Sequence, residues 1–248
     1  MKISVVITAH NEERKIEKAL KSVLWTDEII LVDGESTDKT VEIAKKYVNR
    51  VISIPNDPGI MSMRNKGIKG GSGEWILILD ADEIIPENLA KEIGRKINSD
   101  EDPVAYRFPR KQFFLGKWVK HCGWYPDYQT RLFKKGHGYY KNEHVHEQVT
   151  TTNGEVGTIS IPYEHHSYSD FSEYLYKVHR YIEFETSKLA QMEKPPSLVG
   201  YLLLRPIARF LSIYIRQMGI FDGWRGLILS FFAGYHEFMT YIKYRKIR

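Results

Sequence analysis

Trp75-Ile76-Leu77-Ile78-Leu79-Asp80-Ala81-Asp82-Glu83 sets a run of apolar residues directly before three acids. Bounded upstream by Gly70-Gly71-Ser72-Gly73, the apolar part reads as a buried strand in a sheet covered on both faces. Side chains alternate along a strand, so Asp80 and Asp82 point the same way at its carboxyl end. Carboxylates that close repel unless a cation sits between them. Hard oxygen ligands suit Mg²⁺ or Mn²⁺, which proteins hold with one or two carboxylates plus substrate phosphates. The stretch therefore predicts a metal and diphosphate site. The plainer alternative is an acidic turn opening a helix at Pro86, where Glu87 suits the helix dipole.

Outward from this strand, the first hundred residues alternate strand and helix. Strands are expected at Ile3 to Thr8, Glu28 to Asp33, Arg50 to Ile54 and Glu74 to Asp80. Between them, Ile16, Leu20 and Val23, then Val41, Ala44 and Val48, recur at helical spacing, with a third helix over 60–69. A further helix over 86–97 carries Leu89, Ile93 and Ile97. This order predicts an α/β fold with a mostly parallel sheet flanked by helices. Parallel strands end on one edge, where open α/β sheets bind ligands. His10-Asn11-Glu12, Asp33-Gly34-Glu35-Ser36-Thr37-Asp38 and Asp80-Ala81-Asp82-Glu83 follow three of those strands, so three polar clusters converge on one rim. No Gly-x-Gly-x-x-Gly follows the first strand and no Gly-Lys-Ser/Thr occurs, which excludes a dinucleotide fingerprint and a P-loop.

Composition sets the frame. A chain of 248 residues with 42% hydrophobic content can bury a real core. The single cysteine, Cys122, leaves no internal disulfide and fits a reducing compartment. The N-terminus reads as a first strand, too short for a signal peptide, and no run reaches the roughly 18 apolar residues of a spanning helix. Of the net charge of +5, the segment 194–248 holds nine Lys/Arg against two acids, so basicity belongs to the tail.

The successive stretches Val5-Val6-Ile7-Thr8-Ala9-His10-Asn11-Glu12, Ile30-Leu31-Val32-Asp33-Gly34-Glu35-Ser36-Thr37-Asp38, Met63-Arg64-Asn65-Lys66-Gly67 and Leu79-Asp80-Ala81-Asp82-Glu83 resemble, in order and spacing, the motifs of family-2 inverting glycosyltransferases with the GT-A fold. Later pieces, Gly123-Trp124-Tyr125-Pro126-Asp127-Tyr128-Gln129-Thr130-Arg131-Leu132-Phe133 and Val145-His146-Glu147, are similar to the bacterial lipopolysaccharide-core glucosyltransferase-like subgroup. The resemblance implies a nucleotide-diphosphate sugar donor, commonly UDP-linked, lying across strands one and two. By motif position Thr8, Ala9 and Glu12 would line the nucleoside, Asp33 would accept from the base, and Arg64 and Asn65 would approach the diphosphate. A guanidinium suits that place because it binds phosphate bidentately. Asp82 would ligate Mg²⁺ or Mn²⁺ directly, with Asp80 reaching the ribose or, through water, the metal.

An inverting transfer is a single displacement, so an acceptor hydroxyl needs a carboxylate base opposite the leaving group. Asp127 is the candidate, amid Trp124, Tyr125 and Tyr128, whose rings suit sugar faces; Glu147 is the second choice. The spacing of Asp127 and Arg131 is similar to the family's acid followed by an arginine at the start of an acceptor-side helix. Histidines cluster at His144, His146, His165 and His166, with 165 and 166 expected just after a strand at 158–161. Imidazole is a common ligand, and His146 and His166 are the candidates to complete the metal shell.

After Asp170 the chain changes character. Helices are expected over Phe171 to Glu193, Leu198 to Met218 and Trp224 to Lys243, rich in aromatic and aliphatic residues and studded with arginine. The expected division is a catalytic domain over 1–169 and a C-terminal helical appendage over 170–248. Such basic, apolar helices suit the interface of an anionic membrane, or a homo-oligomer contact, better than nucleic acid. The reading is a metal-dependent transferase at the cytoplasmic face of the cell membrane, with a glycan or lipid-linked acceptor. Its rivals are transfer to polyprenyl phosphate, a non-catalytic sugar-binding module, and a nucleotidyltransferase.

Overall fold

The computed structural model describes residues 1–55, 61–99, 103–141, 148–152, 154–192 and 197–247. They form two compact units, Met1–Arg110 with Asp127–His165, and Lys111–Pro126 with His166–Arg248.

The first unit opens with β1 (Ile3–Ala9), α1 (Ile16–Lys21), β2 (Glu28–Asp33), α2 (Thr40–Ala44), β3 (Arg50–Ser53), α3 (Met61–Gly70) and β4 (Trp75–Asp80). In chain order there follow β5 (Glu83–Ile84), α4 (Glu87–Ile97), β6 (Ala105–Phe114), β7 (Lys117–Trp118), which belongs to the second unit, β8 (Tyr128–Lys134), β9 (Gly138–Tyr139), β10 (Thr150–Thr151), β11 (Val156–Thr158) and β12 (Tyr163–Tyr168). The sheet runs β3-β2-β1-β4-β8-β6-β12-β5. β1 pairs in parallel with β2 and β4, and β2 with β3, as expected.

Beyond β4 the sheet turns antiparallel. β4 pairs with β8 and β8 with β6, so the sheet is mixed. Residues 127–131, read by resemblance as a helix entry, lead into this central strand. Leu132 and Phe133 are fully buried, and β8 covers what would otherwise be the open hydrogen-bonding edge of β4. His165 and His166 lie inside β12 rather than after a strand, while β11 ends at Thr158.

The unbroken apolar runs reflect burial on both faces. Val5, Ile7, Leu31 and Leu77 pack with Ile16, Leu20, Leu89 and Ile93 on one face, whereas Val6, Ile30 and Ile78 pack with Met63 and Ile68 on the other. Gly67 lets α3 come close: a Cβ there would lie 2.2 Å from Val6 Cγ1 and 2.9 Å from Val32 Cγ2. That approach brings Arg64, one turn earlier, down to the sheet.

The second unit is built on α5 (Phe171–Ala190), α6 (Arg205–Leu211) and α7 (Trp224–Ile247). Wider π-helical turns at Gly200–Leu204 and Ser212–Arg216 flank α6. Asp170 caps α5, accepting from Glu173 N–H at 2.9 Å. Residues 111–126 group with these helices rather than with 1–110, because Phe114, Val119 and Cys122 share a core with Tyr174, Ile182, Ile213 and Leu229. Asp222 accepts from Lys120 N–H at 3.1 Å and His121 N–H at 2.9 Å, and Arg225 donates to Phe114 O at 3.0 Å and Leu115 O at 2.8 Å. Burial, with Asp222 alongside, pushes the Cys122 thiol up to about 12. No helix among the described residues is long and apolar enough to cross a membrane.

Candidate active site

The carboxyl ends of β1, β2 and β4 share an edge, and the loops that leave it are bound to each other. After β1, the His10 ring Nδ1 lies 2.7 Å from Gly34 O, and Asn11 takes a left-handed backbone conformation, φ 55°. Its Oδ1 accepts from Thr37 N–H at 2.8 Å, its N–H donates to Ser36 Oγ at 2.9 Å, and Glu12 N–H donates to Thr40 Oγ1 at 2.7 Å. Thr8 and Ala9 are buried at the strand end. Asp33, also buried, accepts from Ser36 N–H, three residues on, at 3.2 and 3.4 Å, which ties down the loop after β2.

At the end of β4 the acids have arginine partners. Asp80 accepts from Arg64 Nη2 at 2.5 Å, from Arg131 Nη2 at 3.2 Å and from Thr8 Oγ1 at 3.3 Å. Arg131 also lies 2.5 Å from Glu83, which is fully buried and takes the Asp80 N–H at 2.8 Å. The reach of Arg131 comes from a break in the ladder. Tyr106 opposes Leu132 and Arg107 opposes Thr130, so Arg131 is the extra residue of a bulge, a device that re-aims a side chain. Burial alone would raise the Asp80 carboxyl, but Arg64 and Arg131 outweigh it and hold the group well below the usual carboxylate range. Burial pushes Glu83 up, with Asp80 adding and Arg131 opposing.

Arg64 has further neighbours. Its guanidinium lies 5.1 Å from the centre of the Tyr140 ring, and its Nε is buried without a hydrogen-bond partner. Asn65 is tied to the same residue, donating to Tyr140 O at 2.7 Å and accepting from Tyr140 N–H at 2.9 Å.

Asp82 follows in the turn after β4, its carboxylate 3.4 Å from His165 Nε2. His166, the neighbouring candidate, stacks on Phe113 with ring centroids 4.3 Å apart. Alternation along β12 separates the two histidines. Asp127 is held by Arg110, whose Nε and Nη2 reach one carboxylate oxygen at 2.9 and 2.5 Å, while Gln129 donates to the other at 2.7 Å. His144, His146 and Glu147 lie outside the described residues. Among the described residues no group of three His, Cys, Asp or Glu gathers as a metal cage.

Asp80 thus contacts both Thr8 and Arg64, with Asp33, Glu12 and Ala9 in the strand ends and loops of the same rim. The sequence alone does not mark Arg131, Glu83, Tyr140, His165 and Arg110 for these roles. Apart from the Asp80 N–H that Glu83 takes, the partners described above lie 17 or more residues away along the chain, which leaves no local pattern to read.

Comparison with known proteins identifies the family. The family profile described as Glycosyl transferase family 2 matches residues 4–154. The lipopolysaccharide core biosynthesis glycosyltransferase LpsC of Rhizobium meliloti is 24% identical over 252 residues, 97% of this chain and 91% of that protein. An uncharacterized glycosyltransferase of Rickettsia bellii is 26% identical over 257 residues, 99% and 87% of the two chains. The crystal structure of Staphylococcus aureus TarS 1–349 in complex with UDP-GlcNAc superposes with a TM-score of 0.56 at 17% identity, over 93% of this chain and 79% of that one. The fold is GT-A, and because the profile spans every rim motif and more than half of the sequence, the chain belongs to glycosyl transferase family 2.

Proposed function

We propose that this glycosyltransferase moves a hexose from a UDP-linked donor, with inversion, to a hydroxyl of a glycan or lipid-linked acceptor in cell-surface polysaccharide or lipopolysaccharide synthesis. The observation that carries the reading is the end of β4, where Asp80 is anchored by Arg64 and Arg131 while the next carboxylate, Asp82, stands beside His165. LpsC, similar over nearly the whole chain, supports the acceptor class.

The donor set beside β4 fits a divalent ion. Asp82 offers a carboxylate and His165 an imidazole, a pair that suits Mn²⁺ and leaves positions for phosphate oxygens and water. When bound, such an ion would offset the charge on the departing nucleoside diphosphate. Arg64, with an unpartnered Nε–H, is the side chain to meet the diphosphate, and Asp80 orients it. In this reading Thr8, Ala9, Glu12 and Asp33 form the nucleoside side of the cleft. Asn65 acts on the shape of the site through the Tyr140 backbone.

Asp127 is the proposed base. Arg110 and Gln129 fix its orientation, which a base must have to meet an incoming hydroxyl. Asp127→Asn is expected to lower kcat by roughly 10²–10⁴-fold with a hydroxyl acceptor. Full activity in that variant, measured as acceptor-dependent UDP release, would favour a polyprenyl phosphate acceptor, which is already anionic and needs no base. Glu147 then becomes the residue to test for hydroxyl transfer.

The tail supports work at an anionic bilayer. Leu203, Ile207, Leu211 and Ile215 recur every fourth residue and are 44–63% exposed, in a segment that also carries the excess of cations. Each basic residue near anionic headgroups contributes about 1 kcal/mol. The chain is expected to float with phosphatidylglycerol vesicles and not with phosphatidylcholine vesicles; equal recovery with both would refute the bilayer reading.

A further inference from the structure

The second unit contains a cavity of about 630 Å³ that the transferase reading does not use. This lies within the roughly 300–1,000 Å³ usual for small-molecule sites. Its walls are single helix faces: Tyr201, Arg205, Arg209 and Ile213 at every fourth residue, then Leu229, Ala233, His236 and Thr240 of α7. Tyr174, Val178 and Leu189 of α5 complete an apolar lining.

The polar groups in this lining are unequally satisfied. Lys188 pairs with Glu185 at 3.1 Å and Arg205 with Glu237 at 3.8 Å, while Lys177 donates to Ser167 O at 2.9 Å and lies 3.4 Å from Glu173. Arg209 makes no ion pair among the described residues. Thr240 is only 5% exposed, yet its hydroxyl has no hydrogen-bond partner. A buried hydroxyl left unpaired costs about 1–3 kcal/mol, so its place on a cavity wall points to a ligand that completes it. With Lys177, Lys188, Arg205 and Arg209 against Glu185 and Glu237, the lining carries excess positive charge.

We propose that this cavity binds a lipid phosphate, its phosphomonoester meeting Arg209, Thr240 and His236 and the start of its tail lying against Val178, Leu189 and Leu229. Three donor groups match the several acceptor oxygens of a phosphate better than the two of a carboxylate. Free inorganic phosphate would satisfy the donors but leave the apolar walls unfilled, so the tail is part of the recognition. The lining includes none of the residues assigned to the donor chemistry at β4, and its test does not read turnover.

The test is calorimetric titration of the full chain with dihexanoyl phosphatidic acid, dihexanoyl phosphatidylcholine and inorganic phosphate, each below any micelle-forming concentration so that bilayer docking stays out of the signal. Phosphatidic acid is expected to bind at least tenfold more tightly than either of the others. Arg209→Gln and Thr240→Val should each weaken it at least fivefold, and Thr240→Val, near-isosteric and rid of an unpaired hydroxyl, should melt no lower than the wild type. Equal affinity for the two lipids, inorganic phosphate binding as tightly as phosphatidic acid, or both variants binding like the wild type would overturn the proposal.

Discussion

Arg131→Met is expected to lower the unfolding free energy by about 3–5 kcal/mol, the range found when one partner of a buried ion pair is removed. Arg131 is itself buried and lies within 3.2 Å of Asp80 and 2.5 Å of Glu83, the latter with no exposed surface. Methionine fills much the same space but returns no charge, so Glu83 is left inside the protein without its counter-ion. Urea denaturation followed by circular dichroism measures the loss. Adding Glu83→Gln to Arg131→Met should recover part of it, since the stranded charge is then gone. A single variant as stable as the wild type would mean that the arginine is not what makes this acidic cluster tolerable.

Asp82→Ala is expected to act in the opposite way, leaving stability nearly unchanged while lowering turnover by about 10³-fold or more. A metal ion that neutralises a leaving diphosphate is worth several kcal/mol, and each 1.36 kcal/mol is about tenfold in rate. Asp82 sits in the turn after β4 with its side chain 13% exposed, unlike Glu83 with none. Nucleoside diphosphate release from a panel of UDP, GDP, ADP and dTDP sugars, with membrane extract as acceptor and Mn²⁺ present, gives the rate. Loss of less than tenfold would remove Asp82 from the centre of the mechanism.

The contrast between these neighbours bears on what could be read beforehand. β1 to β4 and their helices were legible because burial on both faces forces near-continuous apolar strands, and helices on those faces must repeat at 3.6 residues. The rim was legible for a related reason, since polar residues gathered only where those strands end. β8 was not. Thr130-Arg131-Leu132-Phe133 is short enough to fit either periodicity, and only pairing with β4 decides it. The bulge at Arg131 has no signature in the chain, so neither had the arginine's reach to Asp80 and Glu83. His165 and His166 are neighbours in the chain, yet only the first is found beside Asp82. One residue of register moves a side chain to the other face of a strand, and it is His165 that stands 3.4 Å from Asp82. Composition likewise suggested a boundary at residue 170, whereas residues 111–126 belong by packing with the helices.

The central claim is that Asp82, with an ion, receives the diphosphate of a nucleotide sugar at the carboxyl rim of the parallel strands. Calorimetric titration of UDP into the wild type and into Asp82→Ala, each with Mn²⁺ and again with EDTA, tests it most directly. The account predicts binding in the wild type that needs Mn²⁺ and is at least about tenfold weaker, roughly 1.4 kcal/mol, in the variant under the same conditions. Equal affinity in all four titrations would contradict it.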